Sequence, residues 1–214
     1  MFTGLVQKVA KVAGMRRQGS AAVIEVELGE LAGQVAIGDS LAVDGVCLTA
    51  AAASGGRASF DVSAETLRKS TLGELRGGQE VNIELAMRPT DRFGGHFVSG
   101  HVDGTGVIAE MAAVPGETRM KVSVPAELAR MMVMKGSVAV DGVSLTVAAL
   151  SQDSFEVSLI PHTLEVTTLG KKRPGARVNI ECDMIGKWVR RLMGPGRGRN
   201  GGGLTLDKLQ EDGY

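Results

Sequence analysis

The stretch VDGVCLT, Val43 to Thr49, returns 97 positions later as VDGVSLT, Val140 to Thr146. Self-similarity at a fixed separation constrains architecture before any local propensity does. The match widens outward from this phrase. SLAVDGVCLT (40–49) faces SVAVDGVSLT (137–146), ETL (65–67) faces HTL (162–164), TLG recurs at 71 and 168, and VNIE recurs at 81 and 178. FDVS (60–63) and FEVS (155–158) lie 95 apart instead of 97. This spacing predicts a two-residue insertion in a loop of the second copy, between FEVS and HTL. Thr3-Gly4 resembles Ser99-Gly100, so the repeat spans nearly all of 1–86 and 97–183.

Each copy is patterned as strands. AVIEVEL (22–28), RASFDVS (57–63) and QEVNIEL (79–85) alternate apolar and polar residues and are rich in Val and Ile, and glycine pairs such as Gly55-Gly56 punctuate them. About six short strands per copy predict a small antiparallel barrel that closes its own edges. The fold class is therefore all-β, two tandem six-stranded barrels related by an internal repeat. ETLRKSTLGEL and HTLEVTTLGKK predict a short helix or turn before the last strand of each copy.

The remainder differs in kind. DMIGKWVRRLM (183–193) draws as an amphipathic helix with Met184, Trp188 and Leu192 on one stripe, which packs either on its own barrel or on another subunit. GPGRGRNGGG breaks regular structure as a linker, and LTLDKLQEDGY carries a weak helical signal. The domains are drawn at 1–96, 97–183 and 184–214.

Composition excludes several functions. With 24 basic and 24 acidic side chains, the chain has no excess charge to draw nucleic acid or an anionic membrane. Aromatics are 3% of residues, too few for the stacking platforms of single-strand binders. No apolar run approaches the ~20 residues of a spanning helix. Two cysteines, Cys47 and Cys182, make no disulfide framework, and with a start that lacks a secretory pattern they predict a cytoplasmic protein.

The copies differ at chemically interesting positions. Cys47 faces Ser144: a cysteine is a good small core residue, yet the near-equal volume of serine leaves the thiol as a nucleophile or base. His96 and His101 are five apart, which points them to opposite faces of a strand, and other ligands are too few nearby, so no metal is expected. A single histidine as general acid or base stays open. Asp183 replaces Ala86 of the first copy and also suits a helix N-cap before MIGKWV. Lys135 stands opposite Gly38, and His162 opposite Glu65. The pattern predicts two similar pockets with unequal roles.

MFTGLV, the paired VDGVCLT and VDGVSLT, GGHFVSGHVDG (94–104), LIPHTLE (159–165) and NIECDMIGK (179–187) together resemble the riboflavin synthase family, α-chain type, over essentially the whole chain. The resemblance implies two Greek-key barrels and a C-terminal helix that joins subunits into a homotrimer, with the site between the N-terminal barrel of one subunit and the C-terminal barrel of its neighbour. It implies a dismutation in which two molecules of 6,7-dimethyl-8-ribityllumazine exchange a four-carbon unit to give riboflavin and 5-amino-6-(D-ribitylamino)uracil, without metal or redox cofactor. It also raises a surrounding lumazine synthase shell as a partner.

By motif, the resemblance puts the N-terminal pocket on Gly4, Leu5 and Val6, on Cys47, Leu48 and Thr49, and on Asp61, Val62, Ser63, Ala64, Glu65 and Thr66. The C-terminal pocket falls on Gly100, His101, Val102 and Lys135, on Ser144, Leu145 and Thr146, and on Ser158, Leu159, Ile160, Pro161, His162 and Thr163. Phe2 and Thr3 would close the site, and Ser40, Cys47, His101 and Asp183 would carry the chemistry. A non-catalytic lumazine- or flavin-binding protein of the same fold is the competing reading. Retention of Cys47, His101 and Asp183 together favours the enzyme.

Overall fold

Alternating side chains between tight turns build the same barrel twice. The computed structural model describes residues 1–193, so the expected glycine-rich linker and LTLDKLQEDGY lie outside the described residues. In the first copy β1 (Lys8–Gln18), β2 (Ala21–Glu27), β3 (Ser40–Val43), β4 (Val46–Ser54), β5 (Arg57–Val62) and β6 (Glu80–Leu85) close in the order β1-β2-β5-β4-β3-β6. In the second, β7 (Gly104–Val114), β8 (Glu117–Ser123), β9 (Ser137–Val140), β10 (Val143–Leu150), β11 (Ser154–Leu159) and β12 (Arg177–Cys182) close in the equivalent order. All pairs are antiparallel, and β2 skips two strands to meet β5, the Greek-key connection.

Inward residues fill each barrel: Ile24, Leu41, Phe60, Leu72 and Ile83 in the first, Ile108, Met120, Phe155, Leu159 and Ile180 in the second. Each such side chain contributes ~1.5–3 kcal/mol by leaving water. Helices α1 (Ala64–Lys69) and α3 (Pro161–Val166), each followed by a 3₁₀ turn, precede β6 and β12, as the sequence predicts. Ser63 starts α1 by accepting the Thr66 N–H, whereas Pro161 starts α3 without a side-chain cap. A single-turn helix, α2 (Ala126–Ala129), follows β8.

Strand register corrects the expected insertion. Ala50 pairs with Phe60 in the first barrel and Val147 with Val157 in the second, so Phe60 corresponds to Val157 and the separation stays at 97 through this hairpin. FDVS and FEVS are alike but out of step by two. A shift of two keeps every side chain on its own face of the strand, so the apolar pattern cannot detect it.

The last helix, α4 (Met184–Met193), begins where Asp183 Oδ1 accepts the Ile185 N–H at 3.0 Å, the N-cap that the sequence offers. Lys187 to Asp103 (2.7 Å) and Arg190 to the Arg130 carbonyl (3.0 Å) tie it to its own second barrel. The outward stripe differs from the expected Met184, Trp188 and Leu192. Ile185, Trp188, Val189 and Leu192 are exposed at spacing i, i+3, i+4, i+7, and Met184 is half-buried.

Candidate active site

The barrels meet about an approximate twofold axis, and segments from the start of each copy cross it. Phe2 and Val98 form a reciprocal backbone bridge, each N–H donating to the other's carbonyl at 2.8 and 3.2 Å. Beyond the bridge, Gly4 accepts from the Ser144 N–H at 2.8 Å, and Gly100 accepts from the Cys47 N–H at 2.9 Å. Each initial segment thus lies along the outer face of the opposite barrel, beside the residue that differs in the repeat. Both glycines have positive φ, and a Cβ would come within 2.6 Å of Ser144 Cβ or 2.4 Å of Cys47 Cβ, so only glycine allows this approach.

A buried glutamate anchors each crossing. Glu84 accepts from Thr3 N–H (2.7 Å), Thr3 hydroxyl (2.8 Å) and Gly4 N–H (3.0 Å), and Glu181 does the same for Ser99 and Gly100. Burial raises the Glu84 pKa above the ordinary carboxylate value, against the lowering effect of these donors. Both glutamates belong to the repeated VNIE phrase, a legible sign that a strand meant for a core carries a polar group with a partner.

On the outer face of β3 and β4, period two places Ser40, Ala42, Cys47 and Thr49 together, with Ser40 paired to Thr49 and Ala42 to Cys47. The second barrel repeats this with Ser137, Ala139, Ser144 and Thr146. Ala42 and Ala139 are buried under Phe2 and Val98 in a small apolar cluster between the barrels, with Cys47 and Ala86 at its margin.

The two faces then diverge. At Ser144, the His96 ring Nδ1 lies 2.7 Å from Oγ, its Nε2 is buried without a partner, and the charges of Asp183 and Glu181 act on it. Burial lowers the His96 pKa and those two carboxylates oppose the drop. At Cys47 the position equivalent to Asp183 is Ala86, and exposed His101 follows Gly100, its N–H bonded to the Ser99 hydroxyl at 3.1 Å. Among the expected residues His101 is the catalytic histidine, and His96 has no particular role. The signal for His96 was its Gly-Gly-His setting, but its partner Ser144 lies 48 residues away.

The remaining expected residues separate by burial. Leu48, Val62, Leu145 and Leu159 point into the barrel cores and offer a ligand only their backbone. Phe2, Thr3 and Gly4 are buried in the crossing, while Leu5, Thr49, Asp61, Ser63, Glu65, Lys135, Thr146, Ile160, Pro161 and His162 are exposed. Val6, Ala64, Thr66, Val102, Ser158 and Thr163 are half-buried. Thr3, Leu5 and Val6 line a cleft of about 370 Å³ with Ala86, Arg88 and Arg92, and Ser40 lines an adjoining one of about 220 Å³. Lys135 has φ +64 where Gly38 has φ +92 in the first copy, a conformation in which a side chain is strained. Residues held in such backbone conformations are concentrated at functional sites. Among the described residues no three His, Cys, Asp or Glu side chains are grouped to hold a metal ion.

The doubled fold agrees with what comparison finds. The model of the lumazine binding domain matches the chain twice, at residues 3–86 and 99–183. The chain belongs to the riboflavin synthase family. It is 41% identical to the riboflavin synthase of Actinobacillus pleuropneumoniae over 215 residues, covering all of both chains. It is 47% identical to that of Mycobacterium bovis over 199 residues, 90% of this chain and 98% of the relative. The family's members named in these comparisons are enzymes, and this chain is one of them by sequence. The solved structure of LumP complexed with riboflavin shares the fold at TM-score 0.78 and 22% identity, covering 85% of this chain and 99% of that one. LumP complexed with 6,7-dimethyl-8-(1'-D-ribityl) lumazine gives TM-score 0.77. No helix among the described residues is long and apolar enough to cross a membrane.

Proposed function

We propose that the chain catalyses the dismutation of 6,7-dimethyl-8-ribityllumazine to riboflavin and 5-amino-6-(D-ribitylamino)uracil. The observation that carries this reading is the pair of equivalent crossings, one over Cys47 and one over Ser144, with unequal polar groups around them. Two copies of one substrate that must act as donor and acceptor of carbon require two like pockets that are chemically unlike. Holding them in fixed orientation replaces a collision between two solutes, and effective molarities for such pairs reach ~10⁵ M or more.

The reaction needs proton removal from the 7-methyl group of one lumazine, addition of a nucleophile to C7 of the other, carbon–carbon bond formation and two eliminations. His101 is assigned proton transfer, Cys47 the role of base or nucleophile at the acceptor, and Ser40 and Asp183 polar stabilisation. The Ser144–His96 pair joins this set: an imidazole held neutral by burial accepts the Ser144 proton through Nδ1 and directs the serine oxygen. Lys135 supplies a cation at the rim of the C-terminal pocket.

The site is completed between subunits, with the exposed stripe Ile185, Trp188, Val189 and Leu192 as the contact that assembles a homotrimer. Free Cys47 and buried Cys182 suit a reducing cytoplasm. The test is to incubate purified protein with 6,7-dimethyl-8-ribityllumazine and follow riboflavin absorption and fluorescence. Turnover that falls with dilution of the protein supports the reading, and a stably bound lumazine without turnover refutes it.

A further inference from the structure

The barrel junction has a second part, behind the crossings, where the turns of the two VDG phrases touch. Asp44 and Asp141 both have positive φ (44° and 46°), and each is followed by a glycine in the same region. The turns pack so closely that a Cβ on Gly45 would lie 2.5 Å from the Gly142 nitrogen and 3.3 Å from the Asp141 carbonyl carbon. Two buried carboxyls are therefore brought to one place, Asp44 4% exposed and Asp141 0%.

Nearly every bond around them is duplicated. Asp44 Oδ1 accepts the Asn82 N–H and Asp141 Oδ1 the Asn179 N–H, both at 2.7 Å. The Asn82 amide donates to the Asp141 carbonyl (2.9 Å), and the Asn179 amide to the Asp44 carbonyl (2.8 Å). The amide oxygens accept from Thr168 and Thr71 N–H. One element is not duplicated: Lys172 lies 2.6 Å from Asp141 Oδ2, and its counterpart in the first copy is Leu75.

Two buried carboxyls consequently share one half-buried ammonium. The other charges facing this place are already matched, Lys171 to Glu80 and Arg177 to Glu74 across the junction. With Gln79, Thr71 and Thr168 they line a cavity of about 310 Å³ on which Asp44 and Lys172 open. Two buried anions facing one cation leave one charge uncompensated, and such a group retains its proton.

We propose that folding of this chain takes up one proton at the barrel junction, with Asp44 held as a neutral carboxylic acid beside the Asp141–Lys172 ion pair. Burial, then the Asp141 charge, push Asp44 up to about 8, against the pull of Lys172 and the Asn82 N–H. Burial raises Asp141 as well, and Lys172 and the Asn179 N–H oppose that rise without reversing it; it is the 2.6 Å contact with Lys172 that puts the ion pair at Asp141 and leaves the proton to Asp44. Burial also works to lower Lys172, but Asp141 and Asp44 outweigh it and raise the amine.

The sign follows directly. The folded chain binds this proton and the unfolded chain releases it between the ordinary aspartate value and about 8, so stability declines as pH rises through that window and levels off above it. Above about pH 8 the junction carries two carboxylates against one ammonium, and the turns that precede Cys47 and Ser144 lose their fit. The junction thereby sets an alkaline limit on the mutual placement of the two candidate pockets.

The test compares the native chain with Asp44→Asn, which keeps the shape and the donor while removing the titration. Denaturant unfolding of both is measured from pH 5 to pH 9. The ratio of their unfolding constants should change by about tenfold per pH unit up to pH 7, one proton's worth, and flatten by pH 9. A ratio independent of pH overturns the proposal. Carboxyl-¹³C aspartate NMR gives an independent reading in the native protein, since one resonance should titrate far above the rest. If every aspartate titrates in the ordinary acidic range, the proposal fails even where Asp44→Asn does not fold. Leu75→Lys, which restores the missing cation, should move that resonance toward the others.

Discussion

Replacing Lys135 by glycine separates backbone strain from function in one substitution. Lys135 has φ +64, its N–H bonded to the Val147 carbonyl at 2.9 Å, and Gly38 makes the same bond to Ala50 with φ +92. Holding a side chain in the left-handed region costs ~1–2 kcal/mol, which Lys135→Gly relieves. Glycine's greater freedom in the unfolded chain costs ~0.5–1 kcal/mol in return. The variant should therefore lie between no change and a gain of ~1.5 kcal/mol, whereas glycine at an ordinary exposed position is destabilising. On the proposed function, loss of a charge-assisted hydrogen bond of ~1.5–3 kcal/mol should lower kcat/KM about 10- to 100-fold. Denaturant melts and riboflavin formation measure the two quantities on one preparation. A loss of ~1 kcal/mol or more in stability would refute the strain argument, and an undiminished kcat/KM would refute the functional one.

Three other outcomes follow from the crossings and the site. Gly100→Ala combines positive φ with a Cβ 2.4 Å from Cys47 Cβ and should cost ~2–5 kcal/mol, whereas Gly55→Ala, with φ +58 and open space around it, should cost ~1–2 kcal/mol; equal losses in thermal melts would discount the close approach. His96 is held toward its neutral form, so its contribution to stability is full above the ordinary histidine value and is lost as pH falls below it; relative to His96→Gln, the native chain should weaken from pH 7.5 to pH 5.5 in denaturant melts, and an unchanging difference would contradict the burial argument. Burial, then the neighbouring Asp103 charge, push the Cys182 thiol up to about 12, and the residue is inaccessible; a thiol reagent followed by mass spectrometry should modify half-buried Cys47 in the native protein and Cys182 only after unfolding.

The architecture was legible because its determinants are local and written twice. Alternating Val and Ile set which face each strand buries, Asp44-Gly45 and Asp141-Gly142 set the hairpins, and Asp183 marks a helix start within two residues of the bond it makes. The Cys47/Ser144 exchange located the two faces of the candidate site, since equivalence in a repeat is itself a sequence property.

Other features depend on pairings that no local pattern specifies. A strand shifted by two keeps its inward and outward faces, so only the pairing of Ala50 with Phe60 and Val147 with Val157 shows that the copies stay 97 apart. The His96–Ser144 bond, the glutamate anchors at Thr3 and Ser99, and the reciprocal bridge of Phe2 with Val98 arise only once the barrels face each other. Likewise Asp44, Asp141 and Lys172 are three ordinary surface residue types until docking buries two carboxyls against a single ammonium. The sequence by itself determined two copies of one barrel and where they differ; the tertiary structure decided how the copies interlock, because charge, burial and hydrogen bonding at the junction belong to pairs of residues that no local pattern brings together.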